Sequence, residues 1–372
     1  MNRRGSRWKT VLGRLDWGLI AIVALLAVIG IANLASASKA GVSGLAVAQT
    51  IWFVLGAVVI VGVCLVDYRF FARWAYPIFG GVVALLGGVL VVGTELNGAR
   101  RWIDFGWFIM QPSELLKVAV VLVSARYFHD QSKRQTYTLR ELAVPFALVG
   151  GAVLLVVQQP DLGTALVILV IFLSMVLFEG VRGSSLVVLA VGALIAIPVG
   201  WNFGMYDYQR ERVLAFVGLE EERYGASWQV RQSVIAFGSG RVWGKGYGEG
   251  TQVDKGFVPE HENDFIAANW GEERGFVGMA LLLVLYAALI LRALRISRRA
   301  RDTFGAQLSV GVAALIFWHV VLNLGMVTGL VPVVGLTLPL LSYGGSSLLT
   351  TLFAVGLLLN VSLRRKPLPA AG

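Results

Sequence analysis

"WGLIAIVALLAVIGIANL", residues Trp17 to Leu34, runs for eighteen residues without a charge. A helix crossing the hydrocarbon of a bilayer needs roughly 20 mostly apolar residues. The stretch exceeds the apolar core of a secretory leader, and Ala35-Ser36-Ala37 is only an approximate cleavage site, so it reads as a first membrane span. The pattern returns nine times, at Val47 to Val66, Ala75 to Gly93, Pro112 to Phe128, Leu142 to Val157, Leu162 to Phe178, Ser184 to Gly200, Phe265 to Leu291, Gly305 to Thr328 and Ser346 to Leu363.

Composition agrees: 57% of the 372 residues are hydrophobic, 15% are charged and the mean hydropathy is +0.73, outside the range of soluble domains. The expected fold is an all-α integral membrane protein of about ten transmembrane helices, one polytopic domain over residues 1–372.

Short-loop charge sets the orientation. Arg3, Arg4, Arg7, Lys9 and Arg14 precede the first span, Arg69 and Arg73 follow the second, and Arg126, Lys133, Arg134 and Arg140 follow the fourth. Arg182 follows the sixth, five arginines from Arg292 to Arg301 follow the eighth, and Arg364, Arg365 and Lys366 follow the tenth. The intervening short loops hold only Lys39, Arg100 and Arg101. Both termini, residues 1–16 and 364–372, are therefore expected in the cytoplasm. The net charge of +10 follows from this topology and from anionic lipid, not from nucleic-acid binding. Cys64 is the only cysteine, which excludes an intramolecular disulfide and a cysteine-based metal site and leaves core packing as its role.

One connection is long. Residues 201–264, between spans seven and eight, fall outside the cell by the charge rule, and twelve of the 22 acidic residues lie between Asp207 and Glu273. Long loops in compact domains are usually functional. Its stretch "QSVIAFGSGRVWGKGYGEG", residues 232–250, is dense in glycine, with Arg241 and Lys245 beside it. Backbone amides approaching a phosphate and a flexible turn are both open readings, and no GxxxxGK[ST] motif is present.

"FVPEHENDFIAANWGEERGFVG", residues 257–278, then puts His261, Glu262, Asp264, Glu272, Glu273 and Arg274 at the mouth of a span. Asp264 has three readings: a helix N-cap, a metal ligand with Glu262 or His261, or a general base raised toward working pH by partial desolvation. Spacing alone favours the cap, and no HExxH pattern supports zinc. Glu114 and Lys117, spaced i, i+3 inside the fourth span, form either a packing ion pair or a functional one. Asp161 precedes the sixth span as a cap or as part of a cavity mouth.

"GARRWI", "QPSE", "QPDLGTA", "YQRER", "QSVIAFGSG", "GKGYGEG", "FVPEHENDF", "GEERGFVG" and "HVVLNLGMVTGLVPVVGLTLPLLSYGGSS" resemble, in order from Gly98 to Ser347, the motifs of the SEDS family, the RodA and FtsW proteins of bacterial wall synthesis. A RodA-like member is favoured. Asn263 stands where Thr is common, Ala267 where Phe is common and Arg241 where a second Gly is common; "FVGLEEE" lacks the usual Asp-Pro, and Ala48 sits near where a basic residue often occurs.

The resemblance implies a multi-pass protein of the bacterial cytoplasmic membrane that polymerises lipid II into glycan strands beside a class B penicillin-binding protein. It places the essential aspartate on Asp264 and the intramembrane acid and base on Glu114 and Lys117. In that chemistry a hydroxyl attacks an anomeric carbon while a polyprenyl pyrophosphate leaves. Asp264 is the candidate base; Arg210, Arg212, Lys245 and Arg274 are candidate cations for the substrate, and a divalent cation, Mg²⁺ or Mn²⁺, can assist through the pyrophosphate. A lipid II flippase and a noncatalytic scaffold for a penicillin-binding protein are the alternatives, a transporter being expected to bind near the bilayer midplane.

Overall fold

The structure, a computed structural model, describes residues 13–37, 44–96, 99–106, 108–132, 136–217, 226–254, 256–257 and 262–365. Its long helices are α1 (Trp17–Ala37), α2 (Leu45–Leu65), α3 (Tyr68–Val92), α4 (Pro112–Asp130), α5 (Leu139–Gln158), α6 (Leu162–Glu179) and α7 (Gly183–Val199). Between α7 and the next span come a π-helical turn (Gly200–Gly204), α8 (Asp207–Val217), α9 (Ala226–Gly240) and the short α10 (Thr251–Asp254). Then follow α11 (Ile266–Arg298), α12 (Thr303–Val327) and α13 (Gly345–Leu363).

Nine helices among the described residues are long and apolar enough to cross a membrane. The tenth expected span, α4, falls outside that set because Glu114, Lys117, Arg126 and Asp130 interrupt it. It is nevertheless 19 residues long and enclosed by α3, α6 and α12. An intramembrane charge is tolerated only where protein surrounds it. The third span starts at Tyr68, earlier than Ala75, and α11 runs to Arg298, past Leu291. The fold is mostly helical, with one small correction: residues between α3 and α4 form an antiparallel sheet of β1 (Thr94–Leu96), β2 (Ala99–Asp104) and β3 (Ile109–Met110), in that order. The long connection, too, carries helices of its own.

Local sequence explains where the helices start. Asp67 accepts from Arg69 N, Asp302 from Gly305 N, and Thr138 with Glu141 forms a capping box at α5. α12 packs on α11, α4 and α6, and α13 packs on α2, so these central helices bury nearly every face. α7 is as apolar but almost wholly exposed, which is what a lipid-facing helix requires. Cys64 is a free thiol turned toward the Gly356 carbonyl of α13, a packing position.

The charge rule yields a topology that reporters can check. A fusion after Lys366 and an insertion near Glu221 are expected to report opposite sides of the membrane. Both reporting one side would refute it.

Candidate active site

The connection between α12 and α13, residues 328–344, is largely without regular structure, and it gathers the candidate groups. Arg212 Nη1 donates to the Val333 carbonyl (3.3 Å). Two residues on, Gly335 has a φ of +70°, and Asp264 Oδ2 stands 3.5 Å from where a Cβ on that glycine would sit. After two more, the Thr337 carbonyl accepts from His319 Nδ1 (3.1 Å). Since a carbonyl only accepts, that nitrogen carries the proton and Nε2 is left bare. Lys117 Nζ lies 3.0 Å from that bare Nε2 and 2.7 Å from Glu114 Oε1. Glu114, Lys117 and His319 are all buried. The sequence pair is thus a triad, and its third member hands the connection on to the segment that faces Asp264.

Asp264 is held through its backbone. Tyr343 N donates to the Glu262 carbonyl (2.9 Å), Ser342 Oγ to that of Asn263 (2.6 Å), and Asn323 Nδ2 to that of Asp264 (2.8 Å). Asn323 Nδ2 also meets the Leu336 carbonyl (2.6 Å), while Asn33 from α1 reaches Ile266 (3.0 Å). Buried carbonyls are costly to leave unpaired, so these asparagines fix the approach to α11. Helix α11 begins at Ile266 with Phe265 in the N-cap position, so Asp264 stands one residue ahead of the cap and not in the capping position that spacing favoured. Asp264 itself is half-buried.

The glycine-rich stretch has a structural task at a break in α11. Gly275 breaks α11 at φ 62°, ψ −159°, a conformation essentially reserved for glycine. The chain after α9 enters the break: Lys245 N and Gly246 N donate to the Glu272 and Glu273 carbonyls (3.0 and 3.1 Å), and Phe276 N and Val277 N donate to Arg241 and Val242 (2.9 and 3.1 Å). Within the membrane region, broken helices persist only where such partners replace the lost bonds. A Cβ on Gly275 would stand 2.4 Å from Gly244 N. Gly275→Ala is therefore expected to cost roughly 1–3 kcal/mol in backbone strain alone, plus the clash. A Tm and an elution profile matching the native protein would contradict this.

The same knot takes up much of the charge. Glu272, fully buried, accepts from Lys245 Nζ (2.5 Å), Thr251 N (3.0 Å), Thr251 Oγ1 (3.1 Å) and Gln252 N (3.1 Å). Glu273 accepts from Gly248 N (3.0 Å) and from Ser36 Oγ. Lys245, expected to face substrate, is thereby engaged as an anchor. Arg274 lies over the rings of Trp270 (5.6 Å) and Tyr247 (5.5 Å). Arg210 is turned to the carbonyls of Trp201 (3.0 Å) and Asn202 (3.1 Å). Arg212 lines a cavity of about 210 Å³ together with Arg231, Phe216, Val230 and Pro332. Arg231 was not singled out in the sequence.

Asp161 fills the capping role expected for it and has side-chain partners besides. Its Oδ1 accepts from Thr164 N (3.1 Å) as the cap of α6, and its Oδ2 accepts from Gln111 Nε2 (2.7 Å) with Arg101 at 3.8 Å. Among the described residues no three His, Cys, Asp or Glu side chains converge to hold a metal; His261 lies outside them.

Fold and site define a multi-pass membrane protein with a buried ion triad and a carboxylate on a pinned segment, joined by one loop. Residues 13–367 match the FtsW/RodA/SpoVE family, described as cell cycle proteins. The chain belongs to this family. It is 38% identical over 314 residues to peptidoglycan glycosyltransferase MrdB of Escherichia coli K12, covering 84% of each chain. To the probable peptidoglycan glycosyltransferase FtsW of Trichlorobacter lovleyi it is 38% identical over 328 residues, 87% of this chain and 85% of the relative. Among solved structures, a chain from a peptidoglycan synthase complex coordinating polymerization and crosslinking superposes with a TM-score of 0.81 at 34% identity, covering 94% of this chain and 98% of that one. The rod shape determining protein RodA of Thermus thermophilus gives 0.71 at 32% identity, over 95% and 98% of the two chains.

Proposed function

We propose that this chain polymerises lipid II into glycan strands at the outer leaflet of the bacterial cytoplasmic membrane, beside a penicillin-binding protein that crosslinks them. It is a peptidoglycan glycosyltransferase of the FtsW/RodA/SpoVE family, a reading supported by relatives that carry that activity in their names. The observation that carries the mechanism is the pinned backbone at Asp264, which presents a half-buried carboxylate from a fixed position.

A hydroxyl of one lipid-linked disaccharide attacks the anomeric carbon of the other. Asp264 takes the hydroxyl proton as the new bond forms, and the bond to the polyprenyl pyrophosphate breaks with its electron pair on the leaving oxygen. Arg212 and Arg231, lining the cavity, meet the developing negative charge. A divalent cation enters this proposal only as a companion of the pyrophosphate. Lys117, Glu114 and His319 hold the α4–α12 contact on which the loop rests.

The flippase reading is separable. Vesicles carrying the purified chain, with fluorescent lipid II confined to the leaflet facing residues 201–264, are expected to consume it into strands without moving it across. Translocation without strand formation would favour the transporter instead.

A further inference from the structure

At the opposite, arginine-rich end of the bundle, the start of α3, the end of α4 and the start of α12 enclose a cavity of about 300 Å³. None of the candidate active-site groups lines it. Its wall includes Arg69, Arg73, Arg126 and His129, with Tyr68 and Asp302 as its other polar members.

Its anionic and cationic groups are unequally engaged. Both oxygens of Asp302 are occupied, Oδ1 by Gly305 N (2.9 Å) and Oδ2 by the Tyr68 hydroxyl (2.7 Å). Arg126 gives its Nε to Asp130 (3.0 Å), a partly exposed pair, and its terminal nitrogens have no partner among the described residues. Arg73 makes no hydrogen bond or ion pair with the described residues. His129 Nδ1 is buried without a hydrogen-bond partner among them. Two helix N-termini, at Tyr68 and Thr303, add positive dipole ends against one C-terminus at Asp130. The cavity is therefore an incompletely neutralised cationic pocket, suited to a phosphate group.

Its depth points to the source of that phosphate. Arg69 and Arg73 lie one helical turn apart on α3, and each is followed by an exposed aromatic, Phe70 and Trp74, whose rings pair at 6.1 Å. Exposed aromatic residues at a helix end mark the headgroup level of a bilayer. Farther along α3, Tyr76 and Leu85 are exposed as well, an apolar track within about 18 Å of Arg73 and so within reach of an acyl chain.

We propose that this pocket binds the phosphodiester of an anionic phospholipid of the arginine-rich leaflet, with its acyl chains along α3. Anionic lipid thereby clamps α3, α4 and α12 together at the end remote from the active site, independently of the reaction assigned above.

The test is native mass spectrometry of the full chain, delipidated in detergent and titrated with dioleoyl-phosphatidylglycerol, dioleoyl-phosphatidylcholine or inorganic phosphate. The anionic lipid is expected to be retained in preference to the zwitterionic one. At about fivefold per arginine, Arg73→Gln is expected to weaken retention about fivefold, and Arg69→Gln with Arg73→Gln about 25-fold. Arg182→Gln, an exposed arginine outside the pocket, should leave it unchanged. Equal retention of the two lipids, or retention indifferent to Arg73→Gln in a folded protein, overturns the proposal. Displacement of the lipid by an equal concentration of inorganic phosphate overturns the lipid assignment.

Discussion

Asp264→Asn is expected to abolish strand synthesis while leaving folding, membrane insertion and partner binding intact. Asparagine is nearly isosteric and also a strong N-cap, so any local capping would persist. The segment is pinned by contacts to the carbonyls of Glu262, Asn263, Asp264 and Ile266, which the substitution does not touch. What is lost is the ability to take a proton at neutral pH. A positioned general base contributes roughly 10²- to 10⁴-fold, which sets the expected fall in rate. Asp264→Glu keeps the carboxylate but displaces it by a methylene, and a shift of about 1 Å can itself cost on the order of 10²-fold. Near-normal synthesis by Asp264→Asn would remove the residue from the mechanism.

Lys117→Ala carries the second large effect, this time on stability. It leaves Glu114 buried without its cation and His319 Nε2 without its donor. Breaking a buried pair from one side costs roughly 3–5 kcal/mol, whereas removing both charges costs less. Thermal unfolding should therefore rank Lys117→Ala below the Glu114→Ala, Lys117→Ala double variant. If the double variant folds and still makes strands, the pair serves packing alone. If it folds and is as inactive as either single variant, the triad has a functional role beyond stability.

The ten long helices were legible because each apolar window is long and continuous, and even α4 kept its length around the charged residues within it. The small β1–β3 sheet was not, since its strands of three, six and two residues give too short an alternation to read. Glu114, Lys117 and Asp264 could be named beforehand, while the groups that bind them to one another could not. His319, Asn323 and Asn33 are lone polar residues within apolar helices, and sequence alone leaves their partners unknown. A signal was present: His319 and Asn323 are four apart and share a helix face, and polar residues inside a span usually have a task. Lys245 is the converse case. Its glycine-rich setting invited an anion, yet the segment's role depends on a break at Gly275 about thirty residues away, a pairing no local pattern encodes.

The central claim is that this chain itself joins lipid-linked disaccharides. The most direct measurement incubates the purified chain with labelled lipid II, with and without its penicillin-binding partner and with no other glycosyltransferase present, and resolves the products by length. The account predicts a ladder of glycan strands from the wild type and none from Asp264→Asn prepared and assayed in the same way. Unconverted lipid II from folded wild type, even with the partner present, or an equal ladder from both proteins, would contradict it.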